Sequence, residues 1–308
     1  MKTASLPIPP QPFAPLWQNA ICLILTFHKL GSKRRLQTKE VLSIDTDETL
    51  IRVTKSILNC KEYTAISKLY NKIRSQLKPL VLPSSMKSGV YLIPISFTQE
   101  LNDILTKGRQ DLAPLIDYFC QVYPARVAAD QERLKDAYDA TDYPDEDSVK
   151  TAFWIEAHYI TWDLPVTMAS ISEAMLTKET ENAQRKLEEM LAEINLSLRE
   201  AMRQLVRHLR NRLTPRADGT QKGFKASTVN NLLDFLGRFD AKNLGKDTEL
   251  TDVVSQAKML LNGVSPKELR TNQPLAEMIQ VGMNDVEKRL DALLVSKPSR
   301  QYRFDEAA

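Results

Sequence analysis

Glycine is scarce in this chain, with nine residues in 308, against a usual share near ~7%. Folds built on many tight turns or glycine-rich phosphate loops are therefore disfavoured. No Gly-x-x-x-x-Gly-Lys stretch occurs, so any ATP in its work is expected to be used by a partner. Histidine is also rare. His28, His158 and His208 stand far apart, none in His-Glu-x-x-His or at metal spacing from a cysteine, and neither metal nor cofactor is expected. The three cysteines, Cys22, Cys60 and Cys120, form no Cys-x-x-Cys and cannot all pair, as expected of reduced thiols in the cytoplasm. No apolar run approaches the ~20 residues needed to span a bilayer, so no membrane partner is expected. Lys2 is the only early positive charge, and Leu6-Pro7-Ile8-Pro9-Pro10-Gln11-Pro12 breaks any apolar helix, so no secretory signal is expected. Neither sign of charge prevails: 42 Lys+Arg against 39 Asp+Glu leave a net +3, which does not mark a dedicated nucleic-acid binder.

What is present is ordinary globular material, 43% hydrophobic and 26% charged. The proline-rich start reads as an extended, polyproline-like arm, either a docking tail or a plain disordered segment. Ile21-Cys22-Leu23-Ile24-Leu25-Thr26-Phe27 predicts a strand over about 20–30, followed by a basic turn at Lys33-Arg34-Arg35. Asp45-Thr46-Asp47 resembles a helix cap ahead of Leu50, Val53, Ile57 and Leu58 at helical spacing. Ile66, Leu69, Tyr70, Ile73 and Leu77 make one face of a helix from Lys61 to Lys78. Gly89 to Ile95 predicts a second strand, and Thr98 opens a helix that Pro114 bends or breaks, with a further helix from Pro124 to Tyr138. A short helix is expected through Phe153 and Trp154, and a third strand at Tyr159-Ile160-Thr161-Trp162.

Thr177 to Leu213 is the strongest segment. It lacks Gly and Pro, and Leu187, Leu191, Ile194, Leu198, Ala201, Leu205 and Leu209 step by three or four as a heptad seam. So long a helix must pack as a coiled coil, an intramolecular hairpin or an oligomer stalk. Helices are also expected from Ser227, from Asp247-Thr248 and from Pro274, the last with Leu275, Met278, Ile279, Met283, Val286, Leu290 and Leu293 on one stripe. The expected fold is mainly α, with a small β-sheet element near the N-terminus and a long central heptad-patterned helix. The expected divisions are a flexible arm (1–19), an α+β N-terminal domain (20–175), the long helix (176–214), a linker (215–226), a C-terminal helical region (227–295) and a flexible tail (296–308).

Several of these stretches together resemble a bacterial and phage family known as domain of unknown function 3150. They are Leu25-Thr26-Phe27-His28-Lys29-Leu30-Gly31, Asp45-Thr46-Asp47, Leu82 to Pro94, Asp142-Tyr143-Pro144, the long helix, and Phe235-Leu236 with Phe239. The likeness spans about residues 20–295 and implies no activity and no catalytic residues. It does imply partners, because members are often encoded beside a MoxR-like AAA+ ATPase and a von Willebrand A-domain protein of the cobaltochelatase type. The expected role is a non-enzymatic interaction subunit or adaptor of phage or mobile-element origin, in the cytoplasm of the host.

Other patterns have plainer readings. Val41 to Thr49 imitates the Asp-x-Asp-x-Thr start of haloacid-dehalogenase phosphatases. The downstream acidic pair for Mg²⁺ is missing, and a helix cap explains the same letters. Asp142, Asp145, Glu146 and Asp147 lack the glycine and distal glutamate of an EF-hand, so a solvated acidic turn is preferred. Two basic clusters are the candidate contacts for a partner or a nucleic acid: Lys29, Lys33, Arg34 and Arg35, and the stripe Arg199, Arg203, Arg207 and Arg210. The stripe shares its helix with Glu179, Glu181, Glu188, Glu189 and Glu193. That order suits the macrodipole and antiparallel pairing of two such helices, so self-association through the long helix is expected and nucleic-acid binding is the alternative.

Overall fold

The computed structural model describes residues 13–36, 53–83, 89–161, 164, 172–216 and 222–295. The proline-rich stretch up to Pro12, the Asp-x-Asp-x-Thr stretch and the tail after Val295 lie outside them. The chain is mostly helical with a small antiparallel sheet and one long helix. It divides into two compact units, residues 21–81 with 89–160, and residues 1–20 with 82–88 and 161–308. The long helix therefore belongs with the C-terminal helices rather than standing alone, and the expected 215–226 linker joins helices within one unit.

In the α+β unit, strand β1 (Ala20–His28) lies between β4 (Val90–Pro94) and β5 (Trp154–Ile160). The β1–β5 pairing is antiparallel, with Ile24 opposite His158, Thr26 opposite Glu156 and His28 opposite Trp154. Phe153 and Trp154 thus leave the expected short helix, which spans only α3 (Glu146–Thr151) and is capped by Asp145 accepting the Ser148 N–H. The expected basic turn is strand β2 (Lys33–Leu36), paired antiparallel with β3 (Val53–Ser56). β-Branched Val53 and Thr54 favour a strand, which overrides the helical spacing read at 53–58. Leu58 then turns left-handed (φ 53°), a costly conformation for a branched side chain. Buried Asp130 holds it there by accepting the Leu58 N–H at 2.7 Å.

Helix α1 (Lys61–Leu77) buries Tyr63, Ile66, Tyr70, Ile73 and Leu77 against α2 (Thr98–Leu134). Gly108 of α2 permits the approach, because a Cβ there would sit 2.6 Å from Ile73 Cδ1. α2 runs unbroken through Pro114 and Pro124, where the sequence suggested a break. Both prolines are solvent-exposed, so water can satisfy the carbonyls they leave unbonded. Between the helices and the sheet lies an edge-to-face cluster, with Phe119 at 5.7 Å from Phe153, 5.8 Å from Tyr123 and 6.1 Å from Tyr63.

In the helical unit, α4 (Glu173–Leu213) begins at Ser172, whose hydroxyl caps the Met175 N–H. It packs with α5 (Ala226–Lys242), α6 (Thr248–Leu261), α7 (Glu268–Thr271) and α8 (Gln273–Val295). Its buried line is Ala183, Leu187, Met190, Ile194, Leu198, Met202, Val206, Leu209 and Leu213. Leu191, Ala201 and Leu205, expected in the seam, are only half-buried. The buried positions advance by four more often than by three, so the line departs from a strict heptad, in which the two steps alternate. On α8, Met278 of the expected stripe points to solvent and Ala276 takes a buried place instead.

Lys242, at the end of α5, supplies a pH test of this unit. Burial pushes its ammonium down to about 8, with Arg238 adding to the shift and Asp234 opposing it. Between that value and the ordinary ~10.4, the unfolded chain holds a proton that the folded chain lacks, so stability rises with pH across this window. Lys242→Met is expected to stabilise the protein at pH 7 by about 1–3 kcal/mol and to flatten that rise. Denaturation midpoints for both chains at pH 7 and 9.5 check this; parallel pH dependences would refute it.

Candidate functional site

The Arg stripe lies along the C-terminal half of α4, and the chain itself supplies its partners. Arg199 grips Asp247 with Nε at 2.6 Å and Nη2 at 2.9 Å, donates to the Leu293 carbonyl at 2.8 Å and reaches Glu249 at 2.9 Å. Arg203 bridges Asp291 at 3.2 Å and Glu200 at 3.1 Å. Arg207 holds Glu287 at 2.7 Å, and Arg210 holds the other oxygen of Glu287 at 3.0 Å. The Glu287 and Asp247 carboxylates are almost wholly buried, 6% and 2% exposed. Asp247 holds the Arg199 guanidinium above its ordinary pKa, and Glu287 does the same for Arg207, since each carboxylate favours the charged form.

These pairs give the direction of the packing. Residue numbers rise along α4 from Arg199 to Arg210 while their partners on α8 fall from Leu293 to Glu287, so the helices run antiparallel. The antiparallel pairing of acidic with basic faces occurs inside one chain, with α8 and the α6 N-terminus providing the acids. A stripe whose alternative reading was phosphate contact is already neutralised within the chain.

The first basic cluster is divided. Arg34 is drawn in, donating to the Gly31, Lys33 and Asp142 carbonyls, with Nε at 3.5 Å from the Asp142 carboxylate. Lys55 closes on Asp142 at 2.6 Å, so this aspartate of the expected acidic turn is an internal anchor. Lys29, Lys33 and Arg35 are exposed, with no ion-pair partner among the described residues.

Two groupings went unread in the sequence. Lys61, Lys68 and Lys72 stand on the outward face of α1 with Thr64, Asn71 and Ser75, and none of the three lysines has an ion-pair partner among the described residues. The helix's one acid, Glu62, is buried and bound to Arg126 at 2.8 Å, which holds its carboxyl below the ordinary range. Periodicity could have shown this stripe, since its positions are the complement of the apolar face. The second grouping is a cross-strand one. The two oxygens of Glu156 take His28 and His158 Nε2, each at 2.9 Å, and Trp154 stacks on the His28 ring with centroids 3.8 Å apart. The histidines, chiefly through His28, hold the Glu156 carboxyl below its usual range. Only the β1–β5 register brings these residues together. Even so, no group of three or more metal-ligating side chains is placed to hold a metal ion among the described residues.

Cys22, Cys60 and Cys120 form no disulfide, and burial pushes the thiols of Cys60 and Cys120 up. No described helix is long and apolar enough to cross a membrane. No family model, curated protein or solved structure matches the chain.

Proposed function

We propose that this protein is a non-enzymatic interaction subunit or adaptor, of phage or mobile-element origin, working in the cytoplasm with a MoxR-like AAA+ ATPase and a von Willebrand A-domain protein. The identity of the partners rests on the resemblance to the domain of unknown function 3150 family. The observation that carries the role is a set of large apolar side chains held outward on packed helices. Met259 on α6 is 73% exposed, Val281 and Met278 on α8 are 61% and 57%, and Met175 on α4 is 52%. Methionines on a rigid surface adapt to a partner's shape at low cost. The acidic N-terminal half of α4, with Glu181, Glu188 and Glu189 exposed, offers charge for orientation. Three cysteines that form no disulfide fit a reducing compartment.

The test is reconstitution with a MoxR-like ATPase and a von Willebrand A-domain protein from the same genome. Both are expected to be retained by the tagged chain, and Met259→Glu with Val281→Glu is expected to weaken retention at least about tenfold, roughly 1.4 kcal/mol. A folded chain that retains neither would end the reading.

A nucleic-acid reading is the alternative, favoured by Lys61, Lys68 and Lys72 on α1 and Lys29, Lys33 and Arg35 near β2, cations with no ion-pair partner among the described residues. The α4 stripe would have to break its internal ion pairs to contribute. Under this reading, affinity for an oligonucleotide falls steeply with salt, and each lysine removed from α1 flattens the log–log slope by about one.

A further inference from the structure

Strand β5 is the last strand of its sheet. It pairs with β1 on one side, and among the described residues no strand lies on the other. The Ile155 carbonyl is turned off the sheet, where Arg109 of α2 donates to it from Nε and Nη2, each at 3.3 Å. Backbone groups alternate sides along an antiparallel strand, so Ala157 and Tyr159 face the same outer edge. Both Arg109 bonds are longer than the ~2.9 Å usual for N–H···O. The Arg109 side chain is also exposed, so this cap yields to a strand N–H. Natural edge strands are commonly blunted by lysine, proline or a bulge. Trp154-Ile155-Glu156-Ala157-His158-Tyr159-Ile160 holds no lysine or proline, and its register with β1 is unbroken. It instead presents two large rings, Trp154 and Tyr159, 44% and 47% exposed. Both are held in place, Trp154 by stacking on His28 and Tyr159 by donating its hydroxyl to Asn102 at 2.8 Å.

The strand is chemically complementary to itself. Laid antiparallel on a second copy with Ala157 at a twofold axis, all seven residues find partners. Trp154 meets Ile160, Ile155 meets Tyr159, Glu156 meets His158 and Ala157 meets Ala157. Each Glu156 then has one His158 beside it on its own strand, at 2.9 Å, and another across the axis. A register centred on Glu156 would instead oppose two carboxylates, so charge selects Ala157 as the centre. We infer that β5 is a homodimerisation edge, pairing antiparallel with β5 of a second copy of this chain across a twofold axis at Ala157. Ile155, Ala157 and Tyr159 exchange backbone hydrogen bonds with Tyr159, Ala157 and Ile155 of that copy, which joins two sheets into one. Self-association thus falls to the sheet edge rather than to α4, whose arginines are already paired within the chain. The inference stands apart from the adaptor reading and needs neither the ATPase nor the von Willebrand protein.

The test is sedimentation velocity of the full-length chain over a concentration series. One strand pair makes a small interface, so a dimer with a Kd of about 1–100 µM is expected. Ala157→Pro removes the N–H at the axis, on the side away from β1. It is expected to keep the parent's circular dichroism and to weaken the dimer at least about tenfold. Two charge variants decide the register. His158→Glu opposes acid to acid across the axis, and Glu156→Lys with His158→Lys opposes base to base. Each alone is expected to stay monomeric, whereas an equimolar mixture of the two associates, because every acid then meets a lysine. Three outcomes would overturn the inference: a parent chain still monomeric at millimolar concentration; an Ala157→Pro chain that dimerises as tightly as the parent with unchanged circular dichroism; or charge variants that remain monomeric on mixing while the parent dimerises.

Discussion

Leu198→Asp is expected to unfold the helical unit or lower its midpoint by roughly 10 °C or more. Leu198 sits mid-way along α4 at 2% exposure, in the buried line that runs from Ala183 to Leu213. A carboxylate there loses its hydration, and Leu198 has apolar Ile194 and Met202 as buried neighbours one turn away on either side. The cost is about 4 kcal/mol or more, from lost apolar burial together with an unpaired polar group. His208→Asp, on the exposed side of the same helix, changes helix propensity and charge without burial and is expected to fall within about 0.5 kcal/mol of the parent. Equal melting temperatures for Leu198→Asp and the parent would mean that the seam faces solvent.

Asp247→Ala carries the second largest expected effect. The Asp247 carboxylate caps α6 by accepting the Leu250 N–H at 3.0 Å and takes the bidentate grip of Arg199. Its removal leaves a guanidinium that is 15% exposed without its main counter-charge. Stripping one partner from such a pair costs about 3–5 kcal/mol, and the lost cap adds about 1 kcal/mol. Asp247→Asn keeps the capping oxygen but loses the charge and the oxygen that accepts from Arg199 Nε, so it should fall between parent and Asp247→Ala. Arg199→Met combined with Asp247→Ala should recover part of the loss, because the buried cation is gone as well. Urea denaturation of the parent, Asp247→Ala, Arg199→Met and the double variant makes a double-mutant cycle. Additive losses would show that the two residues do not act as a pair.

The same pair marks where local reading ends. The helices α1, α4, α6 and α8 were legible because apolar residues recur every three or four positions, and Asp247 marks the start of α6. The strands β1 and β4 were legible from short β-branched apolar runs. Those signals are local, and they stop at the choice between neighbours. Leu191 and Met190 sit about one-quarter turn apart and are both apolar, so only the packed bundle decided that Met190 is buried and Leu191 half-exposed. Val53 to Leu58 satisfies a helical spacing, yet pairing with Lys33–Leu36 and the Asp130 hydrogen bond made it strand and left-handed turn. His28 and His158 are 130 positions apart and looked isolated until antiparallel register set both on Glu156.

The sequence by itself determined the longer helices, the broad apolar side of each, and that α4 carries acid first and base last. Those properties follow from side-chain chemistry repeating along one strand of chain. The tertiary structure alone decided what that base is for. Asp247, Glu287 and Asp291 lie 48 to 88 positions from the arginines they neutralise. No local spacing names them, because which acids reach an arginine depends on which helix packs beside it and in which direction. An antiparallel α8 laid along α4, together with the α6 N-terminus, brings those acids within 2.6–3.2 Å, and so turns a cationic stripe into the internal lock of a bundle.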